Sequence, residues 1–354
     1  MRRRWAAAAR ITSLSPVARS TAACSSSAVT SGGDHSGAGG GDSPLEEELL
    51  IVDLGAGCGL LSLLAARAAA ACGARARVLA VERERPVAEM ARDIFGANRQ
   101  ALPDGVTLQV IEADSGALCL GGALPRRADI VVSEVLGDDP LAEGVLLALH
   151  HAHTHLLAHG GEMLPSALSV VAALVAMPTA ADLATLRPAV GGRHGGPLRL
   201  LEPGRVGTDL RQHGGPASAS ALASPSTWEY VTRPAVVWRC RLGELPMTGD
   251  ASASLTAVQV VSAAVPTALC FWFEAELSEG APLLSSSPSS RTHWRQMLVP
   301  LPEEAQRVPL QPGSHVTLRA MLAAHDEFQV ELVPLPSSAD AHGDCGDVCE
   351  QCKE

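Results

Sequence analysis

Aromatic side chains are scarce in this chain: 3% of 354 residues, with 5 Trp, 4 Phe and 1 Tyr. Any core must therefore be built mainly from Ala, Leu and Val, and a hydrophobic share of 47% is enough for a sizeable one. The length suits one large domain or two ordinary ones. No uninterrupted apolar run reaches the roughly 18 residues of a membrane-crossing helix, so no membrane partner is expected. Positive charge is short as well, the formal net charge being −11. A nucleic-acid binder needs a concentrated basic face to displace counterions, so no direct nucleic-acid partner is expected; a negative field favours a basic peptide instead. Disulfide-like spacing is missing among the nine cysteines, an odd number, which read as small buried hydrophobes. Cys345, Cys349 and Cys352 cluster beside Asp344 and Asp347, but three thiolates without a second C-x-x-C do not make a zinc knot. Residues 336–354 are expected to be a solvated tail, and no metal site is assigned.

What is present divides into blocks. Residues 1–44 carry Arg2, Arg3, Arg4, Arg10 and Arg19, many Ser and Ala, and no acid before Asp34. That composition fits an organellar transit peptide, mitochondrial or plastid, followed by a Gly/Ser-rich linker; a disordered N-terminus is the alternative. From Leu49 strands alternate with helices: a strand at Leu49–Leu54, a helix from Leu60 to Cys72 closed by Gly73, and a strand at Arg77–Val81 ending at Glu82. A helix from Pro86 to about Asn98 and strands at Val106–Ile111 and Asp129–Val135 follow, then a helix at about Leu141–Leu157. This alternation predicts a Rossmann-like α/β domain over 45–164, with a parallel sheet between helices. Beyond a seam near Pro165 the pattern changes. Met163–Met177 reads as one long extended stretch, residues 178–227 form an irregular Pro/Gly/Ala/Ser-rich insertion, and six β-like runs follow. They are Val236–Leu242, Leu255–Ser262, Ala268–Leu277, Gln296–Leu301, Val316–Leu322 and Phe328–Val333, and they predict an antiparallel β-barrel or sandwich over 165–335.

Between the first strand and helix lies Ile51-Val52-Asp53-Leu54-Gly55-Ala56-Gly57-Cys58-Gly59. Glycines let the backbone turn sharply and approach a ligand closely. A dinucleotide site uses G-x-G-x-x-G, but from Gly57 this chain reads G-C-G-L-L-S, without the third glycine. Asp53 ahead of the glycines suits a cationic amino-acid ligand rather than a pyrophosphate, and Glu82, at the end of the second strand, is placed for ribose hydroxyls. Together they read as an S-adenosylmethionine site, with Asp114 and Ser115 at the third strand end bordering the adenine pocket. A dehydrogenase or an ordinary βα turn remain the other readings.

Two acids stand nine positions apart after the fourth strand, Glu134 and Glu143. A guanidinium is planar, cationic and hard to deprotonate. Two flanking carboxylates can hold it through paired charge-assisted hydrogen bonds and concentrate electron density on the nitrogen that faces a methyl donor. Taken alone, Glu143 is equally well a helix N-terminal acid favoured by the macrodipole. Farther on, Arg291-Thr292-His293-Trp294 precedes a β run. His293 could orient a glutamate or relay a proton, and Trp294 could wall a substrate channel, although a lone His-Trp is more often structural.

These motifs resemble the protein arginine N-methyltransferase family. Asp53 to Ser62 resembles its cofactor motif, Glu134 to Glu143 its double-glutamate loop, and Thr292-His293-Trp294 its THW loop, in order along about residues 49–333. Gly144 to Leu156 resembles the helix that follows the loop in the monomethylating type, and Leu322 to Phe328 that type's final hairpin. The resemblance implies a Rossmann-like domain followed by a β-barrel. It implies methyl transfer from S-adenosyl-L-methionine to arginine in proteins, histones among them, a possible homodimer, and residence in cytoplasm or nucleus. Asp53, Gly55, Gly57, Gly59, Glu82, Asp114 and Ser115 would bind the cofactor, Glu134, Glu143 and His293 would be catalytic, and Trp294 would bind substrate. Gly137 and Thr292 depart from the monomethylating pattern, and the relatives' tyrosine-bearing lid helix has no visible counterpart. Two rivals stay open: a non-catalytic relative acting as a binding module, and a methyltransferase for another nucleophile. The helix bearing His150, His151, His153 and His155 is expected to pack against the barrel.

Overall fold

The computed structural model describes residues 48–102, 104–141, 144–177, 206–208, 228–242, 252–278, 281–302, 310–323 and 327–333. The Arg-rich segment 1–44, Glu143, most of 178–227 and the C-terminal cysteines lie outside the described residues.

The first half is a five-stranded parallel sheet. Its elements run β1 (Leu49–Leu54), α1 (Leu60–Ala71), β2 (Ala76–Glu82), α2 (Arg85–Asn98), β3 (Val106–Glu112), β4 (Ala128–Ser133), α3 (Val145–His151) and β5 (Leu157–Leu164). Strand order is β3-β2-β1-β4-β5. β1 is central and buried along its whole length, as expected of a continuous apolar run covered on both faces. Its alternate residues feed two cores. Leu49 and Ile51 pack with Val78, Ile130 and the alanines of α1. Leu50, Val52 and Leu54 face the other way, with Leu79, Val81 and Val131. α1 lies close to the sheet because its buried side is Ser62, Ala65, Ala66, Ala68 and Ala69. It ends where Gly73, in the left-handed region at φ +66°, donates to the Ala70 carbonyl while Ala74 donates to Ala69, a Schellman closure.

The second half is antiparallel. β6 (Ala167–Ala176), β7 (Val206–Thr208), β8 (Glu229–Tyr230), β9 (Ala235–Arg241), β10 (Ser252–Gln259), β11 (Ala268–Glu276), β12 (Leu284–Ser285), β13 (Gln296–Pro300), β14 (His315–Ala323) and β15 (Glu327–Leu332) follow. One sheet has the order β7-β13-β11-β6-β8, with β9 also on β6 and β12 on β11; the other is β10-β14-β15. Together they curl into a half-barrel. Their inner residues Leu168, Val170, Phe271, Phe273, Leu318 and Phe328 join the same core as Leu50, Val52 and Leu54. The two halves thus share one interior.

Three expectations are corrected. Met163–Met177 is two strands: β5 ends at Leu164 in the parallel sheet, beside β4, and β6 begins at Ala167 in the half-barrel. Pro165 between them has no N–H with which to continue a ladder. The helix expected at Leu141–Leu157 starts only at Val145, after Gly144 in the left-handed region at φ 72°, and its last turn, Ala152–Leu156, is a widened π turn. That helix packs mainly on the short turn at Ser115–Ala117 of its own half rather than on the barrel, with His151 Nε2 3.1 Å from the Leu118 carbonyl oxygen.

Candidate functional site

Register brings the sequence-predicted residues to one edge. Leu54 lies opposite Val81 on β2 and opposite Ser133 on β4. The residues that follow, Gly55, Glu82 and Glu134, therefore leave the sheet side by side at its carboxyl end. In an open parallel sheet this is where ligands bind, beside the strand from which the order reverses. Two further bonds fix the level. Ser133 Oγ–H donates to the Leu54 carbonyl at 3.0 Å, and Ala56 N–H donates to Val81 at 2.9 Å.

The glycine turn is shaped for close approach. Gly59 sits at φ +84°, and a β-carbon there would stand 2.4 Å from Phe95 Cε1, so this position is filled by the α2 aromatic. Gly57 is different: φ is +55°, yet a β-carbon would meet nothing within 4 Å. Open space lies in front of its backbone. Its N–H donates to Glu82 Oε2 at 2.9 Å, while Glu82 Oε1 accepts Glu84 N–H at 2.8 Å. The carboxylate is held facing the turn by two backbone donors.

Asp53, next to last in β1, is fully buried. Oδ2 accepts Ser62 Oγ–H at 2.6 Å, and Oδ1 has no hydrogen-bond partner. Burial lifts its carboxyl to about 6, opposed by the bonds from Ser62. Asp114 caps the Ser115–Ala117 turn, accepting Gly116 N–H at 2.8 Å, and its Oδ2 lies 3.4 Å from Arg83 Nη1 across the ends of β2 and β3.

The fourth strand delivers Glu134, exposed, into the loop that leads to α3. That loop is gripped from the half-barrel. Trp294 is buried, sets its ring edge-to-face on Phe273 at 5.1 Å, and donates Nε1–H to the Leu136 carbonyl at 2.7 Å. Arg295 N–H donates to Asp138 Oδ1 at 2.7 Å. His293 is exposed, its ring 4.0 Å from that of Trp294. The structure thus brings Asp53, Gly55, Gly57, Gly59, Glu82 and Glu134 to one edge and the His293-Trp294 loop against the loop that follows Glu134. It puts Asp114 and Ser115 at the neighbouring strand end. Trp294 is placed as a wedge between loops. Sequence reasoning placed Ser62 at the end of the cofactor motif without giving it a role, and missed Phe95, Phe273 and Asp138. The role of Ser62 was findable from its place in the first turn of the helix; the other three make contacts that no spacing reveals.

Chemically the edge offers an open backbone cradle beside a carboxylate and a second carboxylate one strand away, on a loop that the other half holds. Comparison with known proteins agrees in kind. No family model matches the chain. The arginine N(omega)-methyltransferase of Streptomyces achromogenes subsp. streptozoticus is 30% identical over 279 residues, spanning 76% of this chain and 67% of its own. The chain belongs to the arginine methyltransferase family. Protein arginine N-methyltransferase 7 of Aedes aegypti is 25% identical over 311 residues, 80% of this chain but 43% of that protein. The chain thus spans less than half the length of that methyltransferase. Among solved structures, the Trypanosoma brucei PRMT1 enzyme–prozyme heterotetrameric complex with AdoHcy superposes with a TM-score of 0.57 at 21% identity, covering 77% of this chain and 78% of that one. Arabidopsis thaliana protein arginine methyltransferase 10 gives 0.55 at 18%, covering 81% and 84%. These two share the fold, a parallel sheet followed by a curled antiparallel one.

Proposed function

We propose that this arginine methyltransferase takes its methyl group from S-adenosylmethionine and places it on a guanidino nitrogen of arginine within proteins, one methyl per arginine. The residues fit the cofactor. Gly57 presents backbone with free space before it, Glu82 holds against the same turn a carboxylate suited to ribose hydroxyls, and Asp53 holds one buried carboxyl oxygen without a partner. When bound, the cofactor supplies a methyl group on a positively charged sulfonium sulfur. Asp114 and Ser115 would border its adenine end.

The observation that carries the reading is the register of β1 with β4. It sets Glu134 one strand away from the glycine turn, so that a carboxylate stands next to the methyl donor's place. A guanidinium there is held by charge-assisted hydrogen bonds, which fix its nitrogen toward the methyl group and draw electron density to it. Glu143 would supply the second carboxylate, and His293 would relay or orient at the rim. The negative net charge favours a basic peptide, such as a histone tail, over a neutral one.

The test is transfer of labelled methyl from the cofactor to an Arg-Gly-rich peptide, with free arginine as a parallel substrate and mass spectrometry to count methyl groups. Transfer to the peptide is expected, and Glu134→Gln should lower turnover by roughly 100-fold or more while S-adenosylhomocysteine still binds. A Glu134→Gln variant that keeps the full rate refutes the role. Transfer to free arginine alone, or to lysine, refutes the substrate.

A further inference from the structure

The loop that carries Glu134 and the loop that carries His293 belong to different halves of the molecule, and neither is part of a strand ladder where they meet. Among the described residues, hydrogen bonds from Trp294 and Arg295 reach across between them. One, from Trp294 Nε1 to the Leu136 carbonyl, fixes depth. The other, from Arg295 N–H to Asp138 Oδ1, fixes how the two backbones lie along each other. The half-barrel side is rigid at its root. Gln296, fully buried, donates Nε2–H to the Ser286 carbonyl at 2.7 Å, and Ser286 Oγ accepts Phe273 N–H at 3.1 Å, so the segment 286–296 is closed end to end and Ser286 is pinned to β11. Residue 295 immediately precedes β13, and its N–H points out of the half-barrel to the other loop's side chain. On the opposite side Asp138 lies four residues beyond Glu134, half-buried, with one carboxylate oxygen committed to that N–H.

We propose that Asp138 is a positioning residue: by accepting the Arg295 N–H it sets the Glu134 loop against the His293-Trp294 loop and thereby fixes where the Glu134 carboxylate stands. It does not touch the reacting groups and acts through the loop. The proposal rests on Glu134 being the guanidinium-holding carboxylate of the preceding section. What the position requires is an oxygen acceptor at the Oδ1 place rather than a negative charge. Asparagine meets that requirement and alanine does not.

The experiment compares the unaltered full chain with Asp138→Ala and Asp138→Asn by three measurements: amide hydrogen exchange, S-adenosylhomocysteine binding by calorimetry, and steady-state methylation of the arginine peptide. In Asp138→Ala the Arg295 amide should exchange on the order of tenfold faster, as expected for loss of one hydrogen bond, and segments covering 134–141 should follow. The rate constant kcat should fall by a similar factor with KM little changed, and cofactor-product binding should not move. Asp138→Asn should restore both exchange and kcat most of the way. Unchanged exchange in Asp138→Ala overturns the proposal. So does an Asp138→Asn variant as impaired as alanine, which would make the charge itself the working feature, through direct attraction of a basic substrate. If the unaltered chain methylates no arginine, the proposed function fails, and the exchange data still decide whether Asp138 joins the loops.

Discussion

The open space in front of Gly57 makes a sharp prediction when paired with a second glycine. Gly57 and Gly73 both lie in the left-handed region, at φ +55° and +66°, and a β-carbon at either meets nothing within 4 Å. Alanine at each position therefore carries the same penalty, the left-handed conformation of an L-residue, about 1 kcal/mol, offset by a few tenths through the stiffer unfolded chain. Denaturant midpoints should fall equally. The two sites differ in what the new methyl group occupies. At Gly73 it points from a helix end into solvent space. At Gly57 it enters the open space before the glycine turn, the turn whose Gly57 nitrogen lies 2.9 Å from Glu82 Oε2. Ligand at 100 times its dissociation constant raises folding stability by about 2.7 kcal/mol, and a tenfold weaker complex at the same concentration by only about 1.4 kcal/mol. Urea unfolding with and without S-adenosylhomocysteine reads this directly. Gly73→Ala should keep the whole ligand-induced gain, and Gly57→Ala should lose half of it or more. If both variants gain the same, the turn after β1 is not the binding surface and the placement of the cofactor is wrong.

Two further outcomes follow from single contacts. The buried Asp53 carboxyl is raised from 3.8 to about 6, so the folded chain holds a proton that the unfolded chain releases between those values. Its contribution is fullest below about 3.8 and is lost as pH rises through 6, on the order of 3 kcal/mol in total. Unfolding curves for the unaltered chain and Asp53→Asn should therefore diverge between about pH 4 and pH 7, the asparagine variant becoming relatively more stable; parallel curves would refute the burial argument. Trp294→Phe keeps the ring on Phe273 but strips the Leu136 carbonyl of its donor at a buried position, and should lower stability by about 1–2 kcal/mol in chemical denaturation. No change would mean that water satisfies Leu136 and the loop is not held there.

The parallel half was legible because its signals are local. The helix ends at Gly59 and Gly73, the apolar run of β1 and the acid ending β2 each mark themselves within a few residues. The expected strand and helix limits fall within one or two positions of those observed for β1, α1, β2 and α2. The fifth strand was not legible. Leu157–Leu164 contains Gly160, Gly161 and the polar His159 and Glu162, which blur the alternation, and it reads as a helix end running into a long extended stretch. Short strands such as β8 and β12, two residues each, have no period to detect. At the site, motif residues could be found because chemistry demands a residue type at a spacing. Phe95 under Gly59 and Phe273 under Trp294 answer to shape alone, and shape is decided by elements 36 and 21 positions away in sequence.

The shared interior explains why the two halves must act together. An edge of strand ends gives ligands access but leaves the loops free on their outer side, since nothing in the parallel sheet lies beyond them. Here the Glu134 loop is covered by the connection between β12 and β13, whose root stands on β11. Phe273 of β11 packs under Trp294 on one side and belongs, on the same inner face, to the core that holds Leu50, Val52 and Leu54 of β1. β1 in turn carries the glycine turn at its end. The distance between Gly57 and the Trp294 wedge is therefore set through close-packed side chains rather than by loops alone, and close-packed interiors have low compressibility. A change that loosens the interior at Phe273 should disturb the Glu134 loop and the glycine turn together, although it touches neither.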